Sequence, residues 1–351
     1  MNTMRGVVPV GNFKVEVRDL PVPEPGEGQV LIDVKCAGIC GSDVNTFRMT
    51  WEQINERQNL VVGHEAGGIV AKVGPGVTNV KVGDRITVYH YMGCGKCRYC
   101  LEGKYGWCEN KRAYGWHIHG GMSEYLLTNA INCCPLPEQF PFEDAAFMAC
   151  SAGTAYASLK KLDSFSTDGY LCVVGLGPIG TVLSLMAMAK GWTVVASDLS
   201  ETRVNFAKNL GIDAICPEKG VPVKEQIRAH MKGKLPMRLM DTSGSPHGLA
   251  DAVEIAQNGA HIVTIGKGRR RYDMTPDFDV SEFVVKEIKL EGSWVFTLPE
   301  YYEMMEFMMD HNLSFNKLVT GRFAFSDAQK AFEAAADLGN AGKTVFIKPQ
   351  G

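Results

Sequence analysis

The sequence predicts an α/β protein with two domains, one rich in β-strands and one built on a doubly wound parallel sheet. First, runs rich in Val and Ile, separated by turns rich in Pro and Gly, fill the first third of the chain. Second, apolar runs of strand length alternate with helical periodicity from Ser151 onward, which is typical of a parallel sheet with helices on both faces. Third, 351 residues exceed the length of one small domain.

The β-rich region begins with three expected strands, of which the last two are separated by the turn-forming stretch PVPEPGEG. These strands are Met4–Val10, Lys14–Leu20 and Gln29–Cys36. Two further strands, Gly68–Val73 and Asp84–Tyr89, lie on either side of the turn-rich segment GPGVTNVKVG. We expect this β-rich pattern to continue to about Leu136.

The alternating region begins with a compact apolar strand, a glycine turn and a helix that Gly191 closes. The elements expected here, in chain order, are the strand Tyr170–Val174, the helix Ile179–Lys190, the strand Thr193–Ser197, the helix Ser200–Leu210, and the strands Arg238–Asp241, His261–Ile265 and Ile288–Trp294. Two helices and a final strand complete the chain, at Tyr301–His311, Asp327–Leu338 and Lys343–Ile347.

The composition favours a folded protein without a strong attraction to polyanions. Hydrophobic residues make up 45% and charged residues 21% of the chain, and the formal net charge is -3. We therefore expect no nucleic-acid partner and no binding to anionic membranes. Neither a secretory signal nor a membrane-spanning apolar stretch is recognisable. We expect a cytoplasmic protein whose eleven cysteines bind metal or pack as thiols.

Four closely spaced cysteines predict a structural metal site within a lobe at about residues 91–110. Cys94, Cys97, Cys100 and Cys108 follow the pattern C-x2-C-x2-C-x7-C. This spacing lets one loop surround a tetrahedral zinc ion, and four sulfur ligands leave no open coordination position. The alternative is a disulfide cluster, which a reducing compartment disfavours.

A second motif predicts a dinucleotide site. The stretch GLGPIG follows an apolar strand and opens a helix, and Asp198 ends the next strand 18 residues after the motif. Its glycines allow a pyrophosphate to approach the helix N-terminus, and Asp198 is placed to bind an adenosine ribose, which favours NAD over NADP. Arg203 favours NADP instead, since an arginine here can hold a 2′-phosphate. The alternative to a cofactor site is a plain glycine turn beside a surface aspartate. The candidate cofactor-binding residues are Gly175, Gly177, Pro178, Ile179, Gly180, Asp198 and Arg203.

Two further segments carry a family resemblance. GICGSD contains Cys40, and GHEAGGIVAKVGPGV, which contains His64, matches the pattern G-H-E-x2-G-x5-G-x2-V at each fixed position. Together with the cysteine loop and the glycine turn, these segments resemble the zinc-containing medium-chain alcohol dehydrogenase family over essentially the whole chain. The resemblance implies a GroES-like catalytic domain at residues 1–151 and 294–351, and a Rossmann NAD-binding domain at residues 152–293.

The resemblance also implies a second, catalytic zinc, giving two zinc ions per chain. Cys40, His64 and Cys150 are then its protein ligands, and Glu65 either takes the fourth position in place of water or stands behind it. By the same resemblance, zinc lowers the pKa of a substrate hydroxyl, Ser42 accepts the proton, and a hydride passes to the nicotinamide. Many family members carry a histidine where this chain has Asn45, so we expect water to complete the proton relay, with His117 or His119 as alternatives.

The resemblance is nearest to the polyol and threonine dehydrogenase branches. It implies a small secondary alcohol, a polyol or a sugar-derived alcohol with its ketone as the substrate pair, and a homo-oligomer, either tetramer or dimer. An NADP-dependent carbonyl reductase of the same family and a non-catalytic zinc-binding module are the alternatives. The basic run formed by Lys267, Arg269, Arg270 and Arg271 is a solvated loop or a contact for the cofactor or an anionic substrate.

Overall fold

The computed structural model describes residues 3–54, 59–163, 169–266, 279–337 and 339–348. The basic run from Lys267 to Arg271 lies outside these residues, so its two interpretations stay open. The chain divides into two compact units. The first comprises Met1–Gly153 with Phe296–Gly351, and the second comprises Thr154–Val295.

The described strands are numbered in chain order. They are β1 Thr3–Gly11, β2 Lys14–Pro21, β3 Gln29–Gly38, β4 Glu65–Val73, β5 Arg85–Val88, β6 Tyr91–Met92, β7 Arg112–Ala113, β8 Tyr125–Asn129, β9 Cys133–Pro135, β10 Tyr170–Val174, β11 Thr193–Ser197, β12 Asp213–Ile215, β13 Arg238–Asp241, β14 His261–Thr264, β15 Lys289–Gly292, β16 Val319–Phe323 and β17 Lys343–Ile347.

The described α-helices are numbered in the same way. They are α1 Gly41–Phe47, α2 Trp51–Ile54, α3 Arg98–Leu101, α4 Phe142–Met148, α5 Ser151–Lys160, α6 Pro178–Ala189, α7 Glu201–Asn209, α8 Val223–His230, α9 Pro246–Ile255, α10 Ser281–Val285, α11 Leu298–Asp310 and α12 Ala328–Ala336. Among the described residues, single 3-10 turns occur at Tyr105–Trp107, Ala130–Asn132, Asn316–Leu318 and Phe325–Asp327.

A mostly antiparallel sheet forms the centre of the first unit. Its strand order is β16-β17-β3-β4-β5-β9, and β8 also pairs with β3. Val345 of β17 lies opposite Gly38 of β3, and Gly38 in turn lies opposite Glu65 of β4. This register brings the start of β17, the end of β3 and the start of β4 together, although residues 65 and 343 are remote in sequence.

Helix α4 packs closely against β3 and β4. Close approach is possible because Gly67 of β4 has no side chain, and a Cβ atom there would collide with Ala145. The buried Thr87 hydroxyl donates a hydrogen bond of 2.8 Å to the Ala145 carbonyl oxygen. Helix α4 is thereby fixed on the sheet, and the chain leaves it at Ala149 toward Cys150.

The second unit contains a six-stranded sheet in which all pairings are parallel. Its order is β12-β11-β10-β13-β14-β15, and Leu171–Val174 of the central β10 are buried. Helix α6 begins with Pro178 at its first turn, where the missing N–H costs no helical hydrogen bond. It ends before Gly191, whose positive φ of 82° suits a residue without a Cβ.

The predicted fold class is confirmed, and the predicted strands and helices agree with the described ones to within three residues at each end. Of the described helices, α1 to α5 were not predicted, and the first three of them interrupt the region expected to be purely β-rich. Helices α8, α9 and α10 lie in the alternating region, but sequence analysis gave them no bounds. In the described part of the chain, no helix is both long enough and apolar enough to cross a membrane.

Candidate active site and metal centres

Three predicted zinc ligands and Glu65 meet in the first unit. Cys40 follows β3 and is the N-cap residue of α1, and its extended backbone (φ -84°, ψ 158°) turns the chain into that helix. His64 immediately precedes β4, Glu65 is the first residue of that strand, and Cys150 lies between α4 and α5. The four side chains therefore come from the ends of different elements.

One ligand atom from each of Cys40, His64, Glu65 and Cys150 lies within 4.8 Å of the other three. All but Cys40 are buried. Two sulfurs and one imidazole nitrogen, with one further position left over, are a donor set of catalytic zinc sites. Glu65 Oε1 is buried without a hydrogen-bond partner among the described residues, as expected of an atom that faces a metal ion. The arrangement fits zinc.

The electrostatics of this group also favour a cation. A hydrogen bond with Cys150 holds the pKa of the Cys40 thiol well below its usual range, although burial opposes this. Burial lowers the pKa of His64, but the nearby charges of Asp43 and Cys40 outweigh it and raise that pKa well above its ordinary value. Excess negative charge thus stabilises positive charge at His64, where a dication would replace the proton.

Asp43 supports His64 from helix α1. The Asp43 carboxylate is buried, and its Oδ2 accepts a 2.9 Å hydrogen bond from the backbone N–H of Cys40. Its Oδ1 lies 3.7 Å from His64 Nδ1. A carboxylate beside a metal-binding imidazole fixes the orientation of the ring and raises its basicity. Asp43 therefore orients two of the candidate ligands at once.

Lys343 is the other charged group in this buried region. Its ammonium group bonds Oε2 of Glu65, and both side chains are at most 2% exposed. Burial raises the pKa of Glu65 to about 7, while the charge of Lys343 opposes the rise. Burial would lower the pKa of Lys343, but Glu65 and the two site cysteines raise it, so Lys343 carries its proton.

A neutral histidine packs beside the site. The His90 ring lies 5.4 Å from the His64 ring between centroids, and its Nδ1 is 2.8 Å from the carbonyl oxygen of Ala149. Because a carbonyl oxygen only accepts, Nδ1 carries the proton. Burial first, and then the charge of His64, lower the pKa of His90 to about 3. His90 thus adds no charge to the site.

The four cysteines of the loop form the second candidate metal group, with all four sulfurs within 4.8 Å of one another. Cys97 Sγ lies 3.5 Å and Cys94 Sγ lies 4.0 Å from Cys100 Sγ. Sulfurs at the corners of a zinc tetrahedron with Zn–S bonds of about 2.3 Å would be about 3.8 Å apart. Backbone N–H groups of Lys96 and Cys97 lower the pKa of Cys94 to about 6. All eleven cysteines are free of disulfide bonds, so the alternative of a disulfide cluster is wrong.

In the second unit, the glycine turn joins β10 to α6. Gly175 has a φ of 99°, which favours glycine, and a Cβ at Gly180 would collide with the Gly175 carbonyl oxygen. Space beside Gly177 is open, because a Cβ there would meet no atom within 4 Å. Gly177 is the N-cap residue of the 12-residue α6, and the first N–H groups of a helix have no partner within the helix. The turn therefore fits a pyrophosphate group.

Asp198 closes the glycine turn from the end of β11. Its Oδ2 accepts a 2.7 Å hydrogen bond from Leu176 N, and its Oδ1 accepts a 2.8 Å hydrogen bond from Ser200 N. Arg203 Nη1 lies 3.7 Å from Asp198 Oδ2. The sequence predicted Asp198 as a ribose acceptor, but its role in holding Leu176, within the motif itself, was not foreseen.

Ser42 lies on α1, two residues after Cys40, and is half-buried. The alternative relay histidines are engaged elsewhere through one nitrogen each. His117 Nδ1 accepts from Ala113 N at 3.0 Å, and His119 Nδ1 accepts from Val61 N at 3.2 Å. Among the described hydrogen bonds, none joins either histidine to Ser42.

Comparison with known proteins agrees with this site. Residues 26–138 match the family described as alcohol dehydrogenase GroES-like domain, and residues 178–310 match the family described as zinc-binding dehydrogenase. The order of the two matches follows the order of the two units along the chain. The fold and its two metal-binding groups define a zinc-binding dehydrogenase.

Individual relatives show which members of this family the chain resembles. The chain is 33% identical, over 99% of its length and 100% of the relative's, to the uncharacterized zinc-type alcohol dehydrogenase-like protein YphC of Escherichia coli strain K12. It is 31% identical to an L-threonine 3-dehydrogenase of Rhizobium etli strain CIAT 652, over 98% and 99% of the two chains. The solved structure of rspB from E. coli CFT073, described as a short chain alcohol dehydrogenase complexed with NADH, has a TM-score of 0.85, 26% identity and 99% coverage of both chains.

The chain therefore belongs to the zinc-type alcohol dehydrogenase family of medium-chain dehydrogenases, as its sequence motifs indicated. It is an oxidoreductase whose cofactors are zinc and a nicotinamide dinucleotide, and its substrates are small molecules.

Proposed function

We propose that the chain transfers a hydride between NAD and a small secondary alcohol, polyol or sugar-derived alcohol and its ketone. The observation that carries the proposal is the buried group of Cys40, His64, Glu65 and Cys150, whose ligand atoms lie within 4.8 Å of one another. In this proposal residues 1–151 and 294–351 form the catalytic domain, and residues 152–293 form the NAD-binding domain.

Each residue has a distinct role in this proposal. Cys40, His64 and Cys150 hold the catalytic zinc, and the four loop cysteines hold a structural zinc. Zinc supplies the Lewis acidity that lowers the pKa of a substrate hydroxyl, and the dinucleotide supplies the hydride acceptor. Asp43 orients the His64 ring, and Ser42 takes the proton from the substrate hydroxyl.

Beyond Ser42, we propose that water carries the proton outward. Asn45 cannot titrate near neutral pH, and the Nδ1 atoms of His117 and His119 are occupied by backbone N–H groups. Ser42→Ala should lose turnover while zinc content stays normal. Asn45→His should leave the relay working and add a titrating group to the pH profile; an unchanged profile would show that position 45 lies off the proton path.

We propose NAD rather than NADP as the cofactor. Asp198 places a carboxylate at the end of β11, and a carboxylate favours a ribose 2′-hydroxyl and repels a 2′-phosphate. Arg203, 3.7 Å away, is the group that would favour NADP, and it supports the alternative of an NADP-dependent carbonyl reductase. Fluorescence titration with NADH and NADPH separates the two, since the proposal requires tighter NADH binding.

Substrate identity is best approached through a dehydrogenation screen. Polyols, sugar acids, inositols and amino alcohols should be offered with NAD and with NADP, and NADH or NADPH formation followed at 340 nm. The L-threonine 3-dehydrogenase of R. etli supports including amino alcohols. Reduction only of isolated aldehydes or ketones with NADPH would favour the carbonyl reductase instead.

We also propose that the chain forms a homo-oligomer, a dimer or tetramer. Strand β15 lies at the edge of the six-stranded sheet as described. Helix α10, which precedes it in the chain, exposes Val284 and Val285 by 77% and 74%, and its N-cap residue Val280 is 70% exposed. An open strand edge beside exposed apolar side chains favours association with a second copy. Sedimentation should show an oligomer that Val284→Lys weakens, and a wild-type monomer at micromolar concentration would contradict the proposal.

A further inference from the structure

The buried ion pair between Lys343 and Glu65 lies directly against the candidate catalytic metal site, and zinc coordination by cysteine and histidine does not require it. Lys343 begins β17, Gly38 ends β3 and Glu65 begins β4, so three adjacent strands bring the pair together. Gly38 leaves the necessary space, since a Cβ there would collide with the Glu65 carboxylate.

The two oxygens of the Glu65 carboxylate have different surroundings. Oε2 bonds the Lys343 ammonium group, while Oε1 is buried without a partner among the described residues. One of the two carboxylate oxygens lies in the group of metal-ligand atoms. Lys343 is enclosed by protein, with its ammonium nitrogen 5.3 Å from the centre of the Phe147 ring. Glu65 is thus held by one oxygen and free to approach a metal with the other.

Charge decides what the pair contributes. With a metal bound, Cys40 and Cys150 are thiolates, so together with Glu65 and the buried Asp43 carboxylate they bring four negative charges to this region. A dication and Lys343 bring three positive charges, whereas a dication alone brings only two. In a buried site an unbalanced charge is costly, and a free carboxylate then gains most by binding the metal itself.

We propose that Lys343 is a positioning residue that offsets the charge of Glu65 beside the metal site and prevents Glu65 from becoming a permanent fourth ligand. The inference rests on the proposed ligation by Cys40, His64 and Cys150. Lys343 thereby keeps one coordination position exchangeable, which a catalytic zinc requires and a structural zinc lacks.

The first test measures zinc affinity by competition with a chelator in wild type, Glu65→Gln, Lys343→Met and the double variant. In this charge cycle the two charges of the pair are removed one at a time and then together. Glu65→Gln removes one negative charge beside the metal, and zinc affinity should fall at least tenfold. Lys343→Met removes one positive charge, and zinc affinity should not fall. The double variant restores the wild-type net charge, and its zinc affinity should return to within about threefold of wild type. Equal affinities in all four proteins, or weaker binding in Lys343→Met, would overturn the proposal.

The second test detects the open coordination position by the binding of imidazole to protein in which Co²⁺ replaces zinc. The four-cysteine loop is coordinatively closed, so a change in the visible spectrum on adding imidazole reports the other site. Lys343→Met should bind imidazole at least tenfold more weakly than wild type, because Glu65 occupies the position. The double variant and Lys343→Arg should recover it. If imidazole binds Lys343→Met as it binds wild type, or the double variant shows no recovery, Lys343 is only a structural partner of Glu65.

These outcomes separate the inference from the proposed function. A wild-type protein that binds no metal at Cys40, His64 and Cys150 would refute the proposed site itself. If wild type binds metal and imidazole but the variants show none of the expected changes in affinity, only the role of Lys343 is refuted. Where Lys343→Met fails to fold, the comparison of Glu65→Gln with the double variant, in which neither charge of the pair remains, still decides the question through zinc affinity.

Discussion

Replacing Asp144 with asparagine tests how the helix before Cys150 is anchored. Asp144 lies in the first turn of α4 and is fully buried, at 0% exposure. Its Oδ2 accepts a 2.7 Å hydrogen bond from the Ser314 hydroxyl, and its Oδ1 accepts a 2.6 Å hydrogen bond from Phe315 N. Burial raises the pKa of Asp144 from 3.8 to about 6, although both hydrogen bonds oppose the rise.

This pKa sets the size and the sign of a stability effect. The rise from 3.8 to about 6 corresponds to about 3 kcal/mol of unfolding free energy. Because the folded state holds the proton more tightly, the stability is fully present below the unfolded pKa and is lost as pH rises through the folded pKa. About 1.3 kcal/mol of it should be lost between pH 5 and pH 7.

Urea unfolding of wild type and Asp144→Asn at pH 5 and pH 7 measures this term, because other titrating groups cancel in the difference. From pH 5 to pH 7, the free energy of unfolding of the variant should rise by about 1.3 kcal/mol relative to that of wild type. Ser314→Ala, which removes a hydrogen bond that stabilises the carboxylate, should raise the pKa of Asp144 further and make stability fall more steeply with pH. A wild-type-to-variant difference that is the same at both pH values, or that has the opposite sign, would refute the reasoning.

Three other changes probe the remaining parts of the account. Asp43→Asn should weaken zinc binding by on the order of 10–100-fold, because the carboxylate orients His64; chelator competition measures this, and unaltered affinity would show that the 3.7 Å contact has no role. Cys100→Ser should reduce bound zinc from two to one per chain and lower the unfolding temperature, whereas the control Cys216→Ser should keep both ions. Asp198→Ala removes the acceptor of two backbone N–H groups, so the free energy of unfolding should fall by about 3 kcal/mol and NAD should bind more weakly. Urea unfolding and NAD titration measure the two effects, and a change in NAD affinity alone would contradict this prediction.

Much of the fold was predictable because its signals are local. Strand β10 is an unbroken apolar run, the glycine turn needs residues without a Cβ, and Pro178 marks the start of α6. The metal site of the cysteine loop was predictable for a similar reason, since cysteine spacing within a loop limits which sulfurs can share an ion. Cys40, His64 and Cys150 were predicted together only through the family resemblance. Helices α1 and α4, by contrast, are only seven residues long, too short for a helical period to be seen in sequence.

The residues that support the catalytic site could not be found in this way. Asp43 reads as an ordinary polar residue in a loop, and its contact with His64 depends on helix α1. Lys343 is 278 residues from Glu65, and only the order of β17, β3 and β4 makes them neighbours. One weak signal was present, since Lys343 opens a final strand that ends in three apolar residues, and a lysine needs a partner if it is buried there.

The central claim is that Cys40, His64 and Cys150 hold a zinc ion separate from the one in the cysteine loop. Elemental analysis of dialysed wild type and Cys150→Ser tests it most directly. Wild type should contain two zinc ions per chain, and Cys150→Ser should keep one and lose turnover while remaining folded. One zinc in wild type, or two in Cys150→Ser with turnover unchanged, would contradict the account.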